Sequence, residues 1–171
     1  MNPRHWTAII SVIFLTGCTA YDSIDRKVYS PPVGWIHWQS RIPYIIPEVQ
    51  RGKWIHGWHT IYLAWWTKSG ANSDPTKNPR SFDQSKNTSY SDFRLDFSRM
   101  ISICGHHPAL MQAFHATWSG NSDAIVEVYT RWGTTVYWVQ YVRPASERAS
   151  QAAIESLKTL CAGAPGAGMT R

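Results

Sequence analysis

Charge is scarce in this chain: Asp, Glu, Lys and Arg make up 16% of 171 residues, against 43% hydrophobic residues. Disordered chains pair low hydrophobicity with high charge, so that class is excluded. No apolar run approaches the roughly 20 residues that each bilayer-spanning helix needs, which excludes a multi-span membrane protein. The formal net charge is +6, yet the bases are scattered and form no run, so nucleic acid is not an expected partner. A Gly-rich phosphate loop, a nucleophile elbow and an H-E-x-x-H helix are all missing. Aromatics, by contrast, are plentiful, with ten Trp, eight Tyr and five Phe. The length suits one domain with a substantial core.

Residues 1–17, MNPRHWTAIISVIFLTG, place Arg4 ahead of an apolar stretch from Ala8 to Leu15. Such a segment is too short for an anchor and reads as a secretory signal. It ends in Leu15-Thr16-Gly17-Cys18, which resembles the lipobox of bacterial lipoproteins. That resemblance implies acylation of Cys18, cleavage before it, and a chain held on one membrane leaflet by its acyl groups. Thr19 stands where an Asp would favour inner-membrane retention, so the resemblance points to the outer membrane, facing the periplasm. Removal of the signal takes away one base, Arg4, and no acid.

Two further cysteines remain, Cys104 and Cys161. An even pair in an oxidising compartment is most simply a disulfide. The alternative is a metal or thiol site in Cys104-Gly105-His106-His107. Adjacent histidines diverge on a strand and stand about 100° apart on a helix, so neither arrangement brings both readily to one ion. No metal or other cofactor is expected.

Polar residues 18–30 form a tether, 31–161 a single globular domain, and 162–171, rich in Gly, a flexible tail. Residues 53–67 alternate aromatic and β-branched side chains and predict one strand apolar on both faces, with Gly57 as a bulge. On it Trp54, Trp58 and Trp66 share a face, whereas His56 and His59 face opposite ways. Lys68 to Ser91 predicts a long exposed loop where a partner would be met. Asp92 to Ile103, with Phe93, Phe97, Met100 and Ile101, predicts a helix. Met111–Trp118, Ala124–Thr130 and Thr135–Val142 predict a three-stranded meander. Ser146 then caps a C-terminal helix whose stripe is Ala149, Ala153, Ile154, Leu157 and Leu160. The fold class expected is α+β, an antiparallel sheet covered by helices.

Gly34-Trp35 after a Pro pair, Cys104-Gly105 followed by Pro108-Ala109, EVYTRWGTTVYWVQYVRP and a closing helix ending in Leu160-Cys161 together resemble the PsbP-like group of small exported α/β domains, over roughly 31–161. The resemblance implies a binding or accessory role toward larger assemblies, and it carries over no catalytic residue. The expected function is therefore a non-enzymatic, lipid-anchored envelope protein that docks on a protein assembly. One alternative is a glycan-binding module with Trp54, Trp58 and Trp66 as stacking platform, which requires those rings to lie outside the core. Another is a hydrolase or metal enzyme built on His56, His59 or His106-His107 with Asp92 or Asp96.

Overall fold

The computed structural model describes residues 28–38, 50–67, 74–79, 90–118 and 120–161; the side chains of Gln50, Arg51, Trp66, Thr67 and Trp118 are outside that description. The signal segment, Cys18, most of the tether and the 162–171 tail lie beyond the described residues. Seven strands, β1 (Ile36–His37), β2 (Gln50–His56), β3 (His59–Thr67), β4 (Ser91–Ile103), β5 (His107–Trp118), β6 (Asn121–Trp132) and β7 (Thr135–Pro144), precede one helix, α1 (Gln151–Leu157). The strands form a single sheet in the order β1-β2-β3-β7-β6-β5-β4, antiparallel throughout.

This overturns the expected α+β class with helices covering the sheet. The protein is β-rich, and among the described residues its one full helix has seven residues. The largest difference is at 92–103, which is strand β4 and not a helix. Phe93, Phe97 and Ile101 recur every four residues, a spacing that suits a helix. It also suits a strand whose register against β5 shifts between Ser91 and Arg94 and again between Leu95 and Phe97. Across those irregularities Phe93 packs against Phe114 on one face, at 5.2 Å between centroids, while Phe97 and Ile101 join the core on the other.

The single strand expected over 53–67 is a hairpin. His56 pairs with His59 across the two-residue turn Gly57-Trp58. Gly57 has φ +60° while Trp58 is not left-handed, the pattern of a type II′ turn that needs Gly first.

Alternation along the strands separates two faces. One carries Met111, Val128, Val139 and Leu63 as a row across β5, β6, β7 and β3. Beside it lie Trp54, Ile61 and Tyr141, and α1 closes this face with Ala153 and Leu157, joined by Leu160 just beyond the helix, all fully buried. The cap of α1 is Ser150, whose Oγ accepts from the Ala153 N–H at 3.3 Å, and not Ser146. Tyr29, 1% exposed, lies in the same core and its hydroxyl is 2.6 Å from Ser156 Oγ. Val28 O accepts from the Cys161 N–H at 2.9 Å, so folded structure already includes Val28–Ser30, the end of the expected tether. Cys104 and Cys161 are joined, with Cα atoms 5.6 Å apart, within the range of an ordinary disulfide.

Candidate functional site

Of the Trp platform, little survives. Trp54 is 1% exposed and packs against Tyr29, 5.1 Å between centroids. Trp58 is 79% exposed at the hairpin tip. The Trp66 backbone pairs with Val136, and its side chain is outside the described residues. The turn is the physical reason: it folds the segment back, so residues 54, 58 and 66 never lie along one strand. A three-ring stacking surface on this hairpin is thereby excluded.

The same turn brings together what the sequence separates. His56 and His59 are cross-strand partners, and the Trp35 ring stacks on His56 at 5.8 Å and meets His59 edge-on at 6.5 Å. His59 Nδ1 lies 2.6 Å from the Tyr141 hydroxyl, and Nε2 lies 2.8 Å from Glu147 Oε2. A carboxylate only accepts, so in the neutral imidazole Nε2 donates to Glu147 and Nδ1 accepts from Tyr141. The Tyr141 oxygen in turn accepts from the Ser150 N–H at 3.0 Å. Burial pushes the Tyr141 phenol above its usual range, with the Ser150 N–H pulling the other way. Acid, imidazole and hydroxyl are thus in the order of a catalytic triad. Yet Tyr141 is fully buried, with its oxygen engaged on both sides, so this hydroxyl meets no substrate. The relay fastens the connection after β7, where the Arg143 guanidinium also donates to the Pro144, Ala145 and Glu147 carbonyls.

A second polar cluster crosses the opposite face. Ser98, Gln112, Glu127, Gln140, Tyr62 and Lys53 occupy one row over β4, β5, β6, β7, β3 and β2. Its centre is buried: Gln112 and Glu127 are at most 1% exposed. Glu127 Oε2 accepts from Trp138 Nε1 at 3.0 Å, the Tyr129 hydroxyl at 3.3 Å and Gln140 Nε2 at 3.4 Å. Gln112 Nε2 donates to Ser98 Oγ at 2.9 Å. Burying such a carboxylate is tolerable only with donors of this kind around it. Desolvation raises the Tyr129 phenol far above its usual range, keeping it a donor. Strict alternation places these residues in one row, but only the order of the strands makes the row continuous.

The remaining histidine candidates are separated. Cys104 is in the disulfide, while His107 stacks on Trp132 at 3.4 Å and its Nε2 lies 2.9 Å from the Arg131 carbonyl. Asp96 lies 3.3 Å from His115 and 3.5 Å from Arg94 and not beside His56 or His59. Among the described residues no three ligating side chains converge on one point. In the 68–91 segment, Asp74 and Pro75 are buried, and Asp74 Oδ1 accepts from both the N–H and the hydroxyl of Thr76 at 3.0 and 2.6 Å. That turn corrects the exposed-loop reading at 74–75, whereas Lys77 and Asn78 are exposed; 68–73 and 80–89 lie outside the described residues.

Two surface features were not anticipated. The first is β4 itself, the last strand of the sheet, with nothing paired on its outer side among the described residues. The second is a corner at the other edge, where Val33, Ile36, Trp38 and Trp58 are all exposed. Two-residue β1 was hidden in the sequence by its shortness, and the hairpin turn by continuous aromatic alternation through Gly57.

No family model and no curated protein matches the chain. Among solved structures, the chain is similar to a Pseudomonas aeruginosa protein of unknown function, PA94, with 11% identity over 66% of this chain and 84% of that one, TM-score 0.45. It is also similar to LpqN of Mycobacterium tuberculosis, a protein involved in cell envelope biogenesis, with 16% identity over 77% of this chain and 78% of that one, TM-score 0.47. At these scores neither likeness transfers a function.

Proposed function

We propose that this chain is a lipid-anchored protein of the bacterial cell envelope, held on the outer membrane facing the periplasm, which binds a protein assembly and performs no chemistry of its own. The observation that carries the reading is Leu15-Thr16-Gly17-Cys18 at the end of an apolar signal segment. A disulfide-stapled domain downstream supports export to an oxidising compartment. The docking surface proposed is the outer edge of β4. Its first half carries two register shifts and Arg94 and Asp96, devices that blunt edge pairing. From Phe97 to Ile103 the strand is regular against β5, and Ser98, Arg99, Met100 and Ser102 are exposed. A regular open edge accepts an extended segment of a partner through main-chain hydrogen bonds.

The test has two arms. Labelled fatty acid incorporates into the parent and not into Cys18→Ser; incorporation into that variant sinks the anchor. A photocrosslinker placed at Ser98 or Ser102 in the lipidated protein captures a discrete protein, whereas one at Lys158 on the helix does not. Equal yields at the three positions would mean that β4 is not the docking edge.

A further inference from the structure

The corner at the β1 edge has the composition of a surface that rests on lipid. Ile36 is paired with Ile55, and the Trp38 N–H donates to the Lys53 carbonyl at 2.7 Å, so Ile36, Trp38, Ile55 and Lys53 lie on one side of the sheet edge. The turns at Val33-Gly34 and Gly57-Trp58 adjoin, as the stacking of Trp35 on His56 shows. Val33 is fully exposed, Ile36 is 70% exposed and Trp58 79%. Aliphatic groups with Trp beside them form the mixture that settles at the headgroup level of a bilayer.

We propose that this corner, Val33, Ile36, Trp38 and Trp58, lies against the membrane surface to which Cys18 is tethered. The inference rests on the lipid-anchor reading above, which supplies the occupant. Residues 18–27 precede the first described residue, and fully extended they span roughly 35 Å. That reach lets the corner meet the same leaflet that holds the acyl groups, making the contact intramolecular and raising its effective concentration. The processed chain, with Arg4 gone, keeps 16 bases against 11 acids, a net charge of +5 that adds attraction to anionic headgroups. The arrangement also orients the domain. β1 and β4 are opposite edges of the seven-stranded sheet, six strand spacings or roughly 29 Å apart, so a corner on the bilayer turns the docking strand toward the periplasm.

The experiment uses phosphatidylethanolamine–phosphatidylglycerol vesicles containing brominated phospholipid, a contact quencher of Trp emission. Two preparations are compared: the acylated protein, and a Cys18→Ser chain with hexahistidine inserted after Ala20 and held on nickel-chelating lipid. The second keeps the tether without acylation, so failure of the anchor, read separately from the mass of the Cys18 peptide, does not remove the test. Quenching is expected in both, with at least half of the quenchable emission lost in Trp38→Phe/Trp58→Phe. In Val33→Ser/Ile36→Ser quenching of the remaining Trp residues falls severalfold while the melting temperature stays within a few degrees. Quenching that is absent, or unchanged in both double variants, overturns the proposal. So does Trp58-dependent retention on purified envelope polysaccharide without quenching, which would make the corner a glycan contact.

Discussion

Leu157 and Lys158 are neighbours in sequence and opposites in environment. Leu157 is fully buried between α1 and the sheet, whereas the Lys158 ammonium lies 2.7 Å from Glu155 at the surface. Leu157→Ala is expected to destabilise by about 2–5 kcal/mol from lost burial and the cavity left behind. Lys158→Ala is expected to change stability by less than about 1 kcal/mol, because exposed pairs contribute little. Urea unfolding of both variants decides it, and equal shifts would refute the packing. At Glu127 the contrast is between substitutions. Glu127→Ala orphans the Trp138, Tyr129 and Gln140 donors, while Glu127→Gln leaves an oxygen for them, so the second variant should melt well above the first. Tyr29, Tyr129, Tyr137 and Tyr141 all have hydroxyls held above their usual range, burial being the largest cause in each. Below pH of about 10 they are protonated in both states and contribute no slope. Above it the unfolded chain loses protons first, so stability falls as pH rises. Urea midpoints at successive alkaline pH values should decline, and Tyr29→Phe should flatten the decline.

At the scale of elements, the disulfide ties the turn after β4 to the segment following α1. Closing so long a loop contributes about 4 kcal/mol in the chain-entropy picture. Cys104→Ser/Cys161→Ser should therefore unfold at distinctly lower denaturant than the parent, and an unchanged midpoint would show that the staple is energetically idle. The edge reading of β4 predicts a split between adjacent prolines. N–H groups alternate sides along a strand, so of Arg99→Pro and Met100→Pro one removes a bond to β5 and the other faces outward. One should lose stability, and the other should keep its melting temperature while losing the crosslinked partner. Two stable variants that both retain the partner would refute docking on this edge.

For the whole molecule, the buried residues 74–75 decide what a deletion in the 68–91 segment should do. Removing 71–86 takes out buried Asp74 and Pro75, so the melting temperature should fall markedly, measured by circular dichroism. A melting point within a few degrees of the parent would show that this turn is an independent appendage. Two edges with different characters, an apolar corner at β1 and a backbone edge at β4, divide membrane contact from partner contact in the reading proposed above.

The linear chain by itself determined the strands of the last third, the burial of Ala153, Leu157 and Leu160 and the pairing of Cys104 with Cys161, whereas Ala149 of the expected stripe precedes the Ser150 cap and lies outside the helix. For the strands and the stripe one local rule, alternation or helical spacing, acts without competition, and for the cysteine pair the competing metal or thiol reading is weakened because His106 and His107 diverge. Tertiary structure decided the rest, because there two local rules fit equally well. A four-residue recurrence in 92–103 suits a helix, but β5 offers a whole strand of main-chain partners, and bulges let the same phenylalanines reach both faces. Aromatic alternation through 53–67 suits one long strand, but Gly57 permits the left-handed turn that pairs His56 with His59 and buries Trp54 while exposing Trp58. The polar row through Glu127 and the relay through Tyr141 join residues far apart in the chain, and only the strand order, set by which faces bury the most apolar surface, brings them into contact.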